Sequence, residues 1–210
     1  MDPLNRDAIT ELVAHLTAER LLDGRRLVIG VAGESGSGKS TAATQLAELL
    51  NTNGVPTAFI NQDNYFLRPP RTNHEFRLQD LAHVGPHEVQ LALISEHLHA
   101  FRAGRTVSAP EVNYPANRFD TVMRDFGGMQ VLIVEGTYVL MLEGLDVRVF
   151  LEATHRDTHE RRMARNRDIW EPIIDTILDI EHRLIAPQAD RAHWLIDREF
   201  HLRRGPAHGG

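Results

Sequence analysis

The chain has 210 residues, 42% of them hydrophobic, which suits one domain with a substantial core. A net charge of −6 argues against general nucleic-acid binding, which usually shows a basic face, though not against small anions held by local geometry. There is no cysteine, so disulfides, thiolate nucleophiles and cysteine zinc sites are excluded, and a reducing compartment fits.

Residues 4–22 place Leu4, Ile9, Leu12, Val13, Leu16 and Leu22 at mostly helical spacing, predicting an amphipathic helix that ends near Gly24. Charges run through this segment without an apolar h-region, so no signal peptide is expected. No run approaches about 20 apolar residues, so no membrane span is expected and the setting is read as cytoplasmic. RLVIGVAG (26–33) reads as a buried strand closed by glycine.

That glycine opens GESGSGKS (33–40), which fits G-x-x-x-x-G-K-[ST] between a strand and a helix. Gly33, Gly36 and Gly38 let the backbone curl so that its N–H groups point at phosphate oxygens. Gly33, Glu34, Ser35, Gly36, Ser37, Gly38, Lys39, Ser40 and Thr41 are the expected nucleotide cradle. Lys39 would reach the β- and γ-phosphates, Ser40 would ligate Mg²⁺, and the following helix adds its positive end. A guanine-reading N-K-x-D is missing; NQDN at 61–64 lacks the lysine.

KSTAATQLAELL (39–50) reads as a helix and PTAFI (56–60) as the second strand. NQDNYF (61–66) follows, with Asp63 at the strand end, the edge where open α/β sheets bind ligands. Residues 67–84 read as irregular. HVGPHEV opens a helix, with Pro86 at its first position and Glu88 in its first turn, running to Arg102 and ended by Gly104. Residues 106–128 carry turn signals and a short extended piece. QVLIVEG (130–136) and VRVFLEA (147–153) are the third and fourth buried strands, and Glu135 ends the third.

A charged helix is expected over 155–167 and another over 171–186, with Ile173, Ile177, Ile180 and Leu184 on one face. HWLID (193–197) is a final short strand and 205–210 a disordered tail. His74, His83, His87, His97 and His99 lack His-Glu-x-x-His spacing and read as solvated rather than metal-binding. Apolar strands alternating with helices predict an α/β fold with a parallel sheet covered on both faces. The expected organisation is a single domain over 1–204, with 1–24 as an N-terminal helix.

The order of these motifs resembles the uridine kinase and phosphoribulokinase family of P-loop kinases. GVAGESGSGKST (30–41) is similar to its phosphate loop, QDNYF (62–66) to its Q-D-x-[FY]-Y strand end and LIVEG (132–136) to its second acidic strand end. FLEATHRDTHERRMARNRD (150–168) resembles its Arg-rich lid, one residue longer than the usual spacing, and AHWLID (192–197) its last core strand. The resemblance implies a three-layer P-loop NTPase fold with a mostly parallel sheet and a helical Arg-rich lid over about 154–170. It implies Asp63 as the catalytic residue, a role that phosphoryl transfer to a hydroxyl also calls for, since the proton needs an acceptor. Glu135 is expected to join Ser40 and Asp63 around Mg²⁺. Arg162, Arg165 and Arg167, with Arg161 fourth, are the expected lid arginines, planar groups suited to phosphate oxygens.

For the acceptor, Asp80 falls where nucleoside kinases of the family hold the ribose hydroxyls. Tyr65, Phe66, Tyr114 and Arg118 are expected to line the pocket. VNYPANRFD (112–120) keeps the Tyr and an Arg of the nucleoside-reading P-x-Y-D-F-x-x-H-x-R but not its Asp-Phe pair or its His. Losing a base-edge partner changes discrimination strongly. The expected activity is ATP-dependent phosphorylation of a small-molecule hydroxyl, on a uridine- or cytidine-like nucleoside by overall resemblance. A non-nucleoside alcohol (pantothenate, glycerate, ribosylnicotinamide) or a non-catalytic ATP-binding regulator is the alternative. No nucleic acid or membrane partner is expected, and homo-oligomerisation stays open.

Overall fold

The computed structural model describes residues 4–157 and 172–208. The helix α1 (Leu4–Ala18) stops four residues earlier than its apolar spacing suggests, and Arg20 turns the chain through a left-handed conformation at φ 57°. Then come β1 (Leu27–Gly33), α2 (Lys39–Thr52) and β2 (Thr57–Asn61). A 3₁₀ turn Gln62–Tyr65 leads to α3 (Pro70–Gln79) and α4 (Leu91–Arg102). The strands β3 (Thr106–Asn113) and β4 (Arg118–Asp125) form a hairpin. β5 (Val131–Glu135), β6 (Val147–Leu151), α5 (Pro172–Ile185), β7 (Trp194–Ile196) and β8 (Leu202–Arg204) complete the chain.

The main sheet has the order β2-β5-β1-β6-β7-β8, parallel throughout except for the antiparallel β8. Each central strand sends alternate residues to opposite faces. Val28, Ala32, Leu132, Val134 and Phe150 meet Ile94, Leu98 and Phe101 of α4 on one face. Leu27, Ile29, Val31, Val131, Ile133, Val147 and Val149 meet Leu12 and Leu16 of α1 and Leu46 and Leu50 of α2 on the other. No helix among the described residues is long and apolar enough to cross a membrane.

Four stretches differ from the sequence reading. Residues 70–79, read as irregular, are helical, because α3 docks through polar side chains and shows no apolar stripe; Asn73 is its buried residue. Helix α4 starts at Leu91, after a separate 3₁₀ turn Pro86–Glu88 that hands Glu88 inward rather than to solvent. The 106–128 region is a full two-stranded ribbon, of which only Ala109 in the strands is buried, so its alternation is too polar to read. Residues 205–208, expected to be loose, turn back over the sheet edge: Gly205 N–H donates to His193 O (2.8 Å) and Ala207 N–H to Ala192 O (3.0 Å).

One buried charge cluster fastens α3 to the body. Arg77 donates from Nε to Glu88 Oε1 (2.6 Å) and from Nη2 to Glu88 Oε2 (2.7 Å), and Nη2 lies 3.0 Å from Glu181 Oε1 on α5. Glu88 also accepts from Asn73 Nδ2 and from the Gly85 amide, both at 2.9 Å. Burial pushes the Glu88 carboxyl up, but the Arg77 and Gly85 hydrogen bonds outweigh it and hold it below the usual carboxylate range. Burial pushes Glu181 up, against the pull of Arg77. A depressed carboxylate stabilises the fold above its ordinary pKa and loses that contribution as the pH falls through the folded value. Replacing Arg77 by Met leaves two buried carboxylates uncompensated. It should cost about 3–5 kcal/mol in thermal or denaturant unfolding at neutral pH. The deficit should shrink as the pH is lowered and the carboxylates protonate.

Candidate active site

The C-terminal ends of β1, β2 and β5 converge on one edge of the sheet. The register sets both Val31 of β1 and Asn61 of β2 opposite Glu135 of β5. After β1 the phosphate loop turns into α2 through Gly38, at φ 95°, a left-handed conformation in which a side chain would be strained. This delivers Lys39 and Ser40 to the first turn of α2 beside β5. Ser40 Oγ donates to Glu135 Oε1 at 2.9 Å. Lys39 Nζ lies 3.5 Å from the Glu34 carbonyl.

Glu135 is 2% exposed, and its Oε2 has no hydrogen-bond partner among the described residues; the same holds for the buried Ser37 Oγ in the loop. Burial pushes the Glu135 carboxyl up, Lys39 pulls it back, the nearby Asp63 charge raises it further and the Ser40 hydrogen bond lowers it. A buried carboxylate oxygen without a partner, next to a hydroxyl and a second carboxylate, is a hard oxygen-only donor set. It fits Mg²⁺, which prefers few protein oxygens and keeps its waters.

Asp63 sits in the 3₁₀ turn after β2 with its side chain exposed, and its N–H donates to Asn61 Oδ1 at 2.7 Å. What aligns it with Glu135 is Gln62, fully buried between the two strand ends. Gln62 Oε1 accepts from Tyr138 N–H (2.8 Å) and Nε2 donates to Thr137 Oγ1 (3.0 Å). Gly136 makes room for it: a Cβ at Gly136 would run into the Gln62 Cβ and carboxamide. The neighbouring residues of both acidic motifs therefore interlock, a role that the sequence reading did not assign to either.

Of the expected acceptor residues, Tyr65 belongs to the core instead. It is 1% exposed, its hydroxyl lies 2.9 Å from His97 Nδ1, and burial raises it to about 12 despite Arg124. His97, read as solvated, is buried, and that burial lowers its pKa. Phe66 is half-buried against the core, with the Arg77 guanidinium carbon 6.0 Å from its ring centre. Tyr114 is 57% exposed in the hairpin turn, and Arg118 pairs with Asp120 (2.7 Å). Asp80 is exposed and caps the next turn, accepting from Ala82 N–H at 2.8 Å.

The hairpin reaches the site through ties the sequence did not advertise. Asn64 Oδ1 accepts from Val112 N–H (3.0 Å), Asn117 Oδ1 from Arg71 N–H (2.9 Å), and Arg71 Nη2 donates to Pro115 O (2.9 Å). The turn that carries Asp63, the first turn of α3 and the hairpin are thus tied to one another. Glu34 contributes its backbone to the loop, but its carboxylate is buried and bonded elsewhere, to His155 and His182. Thr154–Asp157 form a turn where the charged helix was expected to begin. Arg161, Arg162, Arg165 and Arg167 lie outside the described residues.

The model of the phosphoribulokinase/uridine kinase family matches residues 28–201. Over 189 residues the chain is 30% identical to the bifunctional alpha-galactosidase/sucrose kinase AgaSK of Mediterraneibacter gnavus, covering 83% of this chain but only 20% of that protein. It is 25% identical over 168 residues to the uridine kinase of Staphylococcus aureus, 78% of this chain and 80% of the relative. A possible uridine kinase from Bacillus stearothermophilus has a similar structure, with a TM-score of 0.64 and 17% identity over 90% of this chain and 97% of that one. So does phosphoribulokinase from Rhodobacter spheroides, at 0.64 and 16% over 83% and 70%. D-glycerate 3-kinase from Cryptococcus neoformans gives 0.55 and 12% over 86% and 90%. The mostly parallel sheet between helical layers is the fold of these structures.

Gly136→Ala should press on Gln62 and separate the two strand ends. We expect about 1–3 kcal/mol of lost stability, the usual cost of overpacking, read as a lower denaturant midpoint at unchanged slope.

Proposed function

Because the chain belongs to the phosphoribulokinase/uridine kinase family, we propose that it transfers the γ-phosphate of ATP to a hydroxyl of a small polyhydroxy alcohol. The observation that carries this reading is the Ser40–Glu135 hydrogen bond of 2.9 Å with the Asp63 charge beside it, at the mouth of a phosphate loop. The loop amides, Lys39 and the positive end of α2 hold the nucleotide phosphates. Ser40, Glu135 and Asp63 would hold Mg²⁺, which when bound neutralises phosphate charge. Asp63 orients the accepting hydroxyl and takes its proton as the new P–O bond forms. Its exposure on the sheet edge leaves it reachable by an acceptor, while the buried Glu135 is not. Arg162, Arg165 and Arg167 are assigned to the closing lid by motif order alone.

How the nucleoside-reading positions are used supports this reading of the acceptor. Asp80 is occupied as a cap, Arg118 by Asp120, and the Asn117 side chain by Arg71 and Thr72. Tyr65 is sealed in the core. Of that set Tyr114 stays exposed in the hairpin turn, while the hydrogen-bonding side chains are engaged within the protein and Asp63 is positioned to engage a hydroxyl. The kinship with a sucrose kinase points the same way, toward a sugar or sugar-derived alcohol.

Asp63→Asn should retain ATP binding and lose at least about 100-fold in turnover, the range expected on removing a general base. Isothermal titration with nucleotide and a coupled ADP assay separate the two effects. Unchanged turnover would remove Asp63 from the mechanism. In the same assay, a panel of sugars, sugar acids, uridine and cytidine should give ADP release with a sugar-type alcohol and none above background with the nucleosides. Fast uridine turnover would overturn the acceptor assignment and leave the kinase assignment standing.

A further inference from the structure

The phosphate-loop carboxylate that takes no part in the chemistry above has unusual company. Glu34 is 4% exposed and His155 5%, deep at the junction of the loop, the turn after β6 and α5. Glu34 Oε2 accepts from the His155 N–H (2.7 Å) and lies 2.9 Å from His155 Nδ1; Glu34 Oε1 lies 2.6 Å from His182 Nδ1. One ligand atom from each of the three residues lies within 4.8 Å of the others. Residues far apart in sequence, at 34, 155 and 182, bring two imidazoles and a carboxylate to one point.

We propose that Glu34, His155 and His182 form a binding site for one first-row transition-metal dication of the Zn²⁺ type, separate from the Ser40–Glu135 oxygen pair. Two imidazole nitrogens and one carboxylate match the ligand sets that hold Zn²⁺ with an open fourth position, and they discriminate against Mg²⁺. The surroundings supply the outer partner that metal-binding histidines characteristically use. His155 Nε2 lies 3.2 Å from Asp179 Oδ1, which is itself held by Arg156 Nη2 at 3.0 Å. A proton on Nε2 donated to Asp179 leaves Nδ1 aimed at Glu34 as the metal-binding atom. The His182 side chain is 41% exposed, which gives an ion a route from solvent and room for a water ligand.

For an ion to bind, any proton lying between an Nδ1 atom and a Glu34 oxygen must leave that contact. An ion with bonds of about 2.0–2.2 Å takes its place. The Nδ1–Glu34 separations of 2.9 and 2.6 Å widen to roughly 3.3–3.6 Å, and a displaced proton goes to solvent or, in a neutral ring with Nε2 free, to Nε2. The two imidazoles are then neutral and the carboxylate ionised, so charge and protons balance without any redox step.

The test uses the full-length, tag-free, metal-free chain without nucleotide, titrated with Co²⁺ as a visible reporter and then with Zn²⁺. The expected result is tetrahedral-type Co²⁺ absorption saturating at one equivalent and loss of the colour on adding Zn²⁺. Because the chain has no cysteine, thiolate cannot supply this signal. His182→Ala, at a half-exposed position, should fold and abolish the absorption; Asp179→Asn should weaken binding about 10- to 100-fold. Glu135→Gln should leave it intact. Absence of saturable binding at one equivalent would overturn the proposal, as would absorption that survives both His182→Ala and Glu34→Gln or that disappears with Glu135→Gln. Circular dichroism of each variant separates lost ligands from lost folding.

Discussion

The site depends on the close approach of Gln62 to Gly136. Parallel strands β2 and β5 are hydrogen-bonded neighbours, but register alone would not keep the turn after β2 and the loop after β5 in a fixed relation. Gln62 does this by accepting from Tyr138 N–H and donating to Thr137 Oγ1, a pairing in which its carboxamide is used from both ends. The glycine that admits it is the residue after Glu135, and Asp63 is the residue after Gln62. Each acid is therefore held by the neighbour of the other. The Gly136 N–H also donates to Val31 O (3.1 Å), so the same joint reaches β1, the strand that feeds the phosphate loop.

This arrangement explains which parts of the molecule were legible from sequence. The core strands announce themselves as apolar runs because both faces of a parallel sheet are covered. GESGSGKS is legible because backbone curvature and phosphate charge demand particular residue types at fixed offsets. Asp63 and Glu135 are legible because they end apolar strands. What the residue pattern hides is every element that docks through polarity. Helix α3 is seated by Asn73 and Arg77 on Glu88, and the β3–β4 ribbon by single hydrogen bonds from Asn64 and Arg71. Periodicity is a record of apolar burial, so it is silent where burial is polar. Tyr65 misled for the opposite reason: an aromatic beside a catalytic motif looks like a pocket wall, yet its partner is a buried histidine on α4.

Two charge clusters divide the labour around the phosphate loop. Arg77 and its two carboxylates sit behind the site and join α3, α5 and the turn at Pro86–Glu88. Lys39 acts electrostatically on both Glu135 and Glu181, so its positive charge is balanced by two buried acids. Glu34 is kept apart from both by its two histidines. The loop's own carboxylate is thereby taken up by the two histidines.

The hairpin is held by its main chain and by one side chain, Asn117, which bonds Arg71 and Thr72. Asn64 reads the Val112 amide and Arg71 reads the Pro115 carbonyl, groups that any residue at those positions would supply. Ribbon side chains other than Asn117 can therefore be replaced with these ties kept, while the Gln62–Gly136 contact has no room for a Cβ. The two attachments thus respond differently to substitution: one is fixed by shape at a single glycine, the other by polar ties at the rim of the sheet.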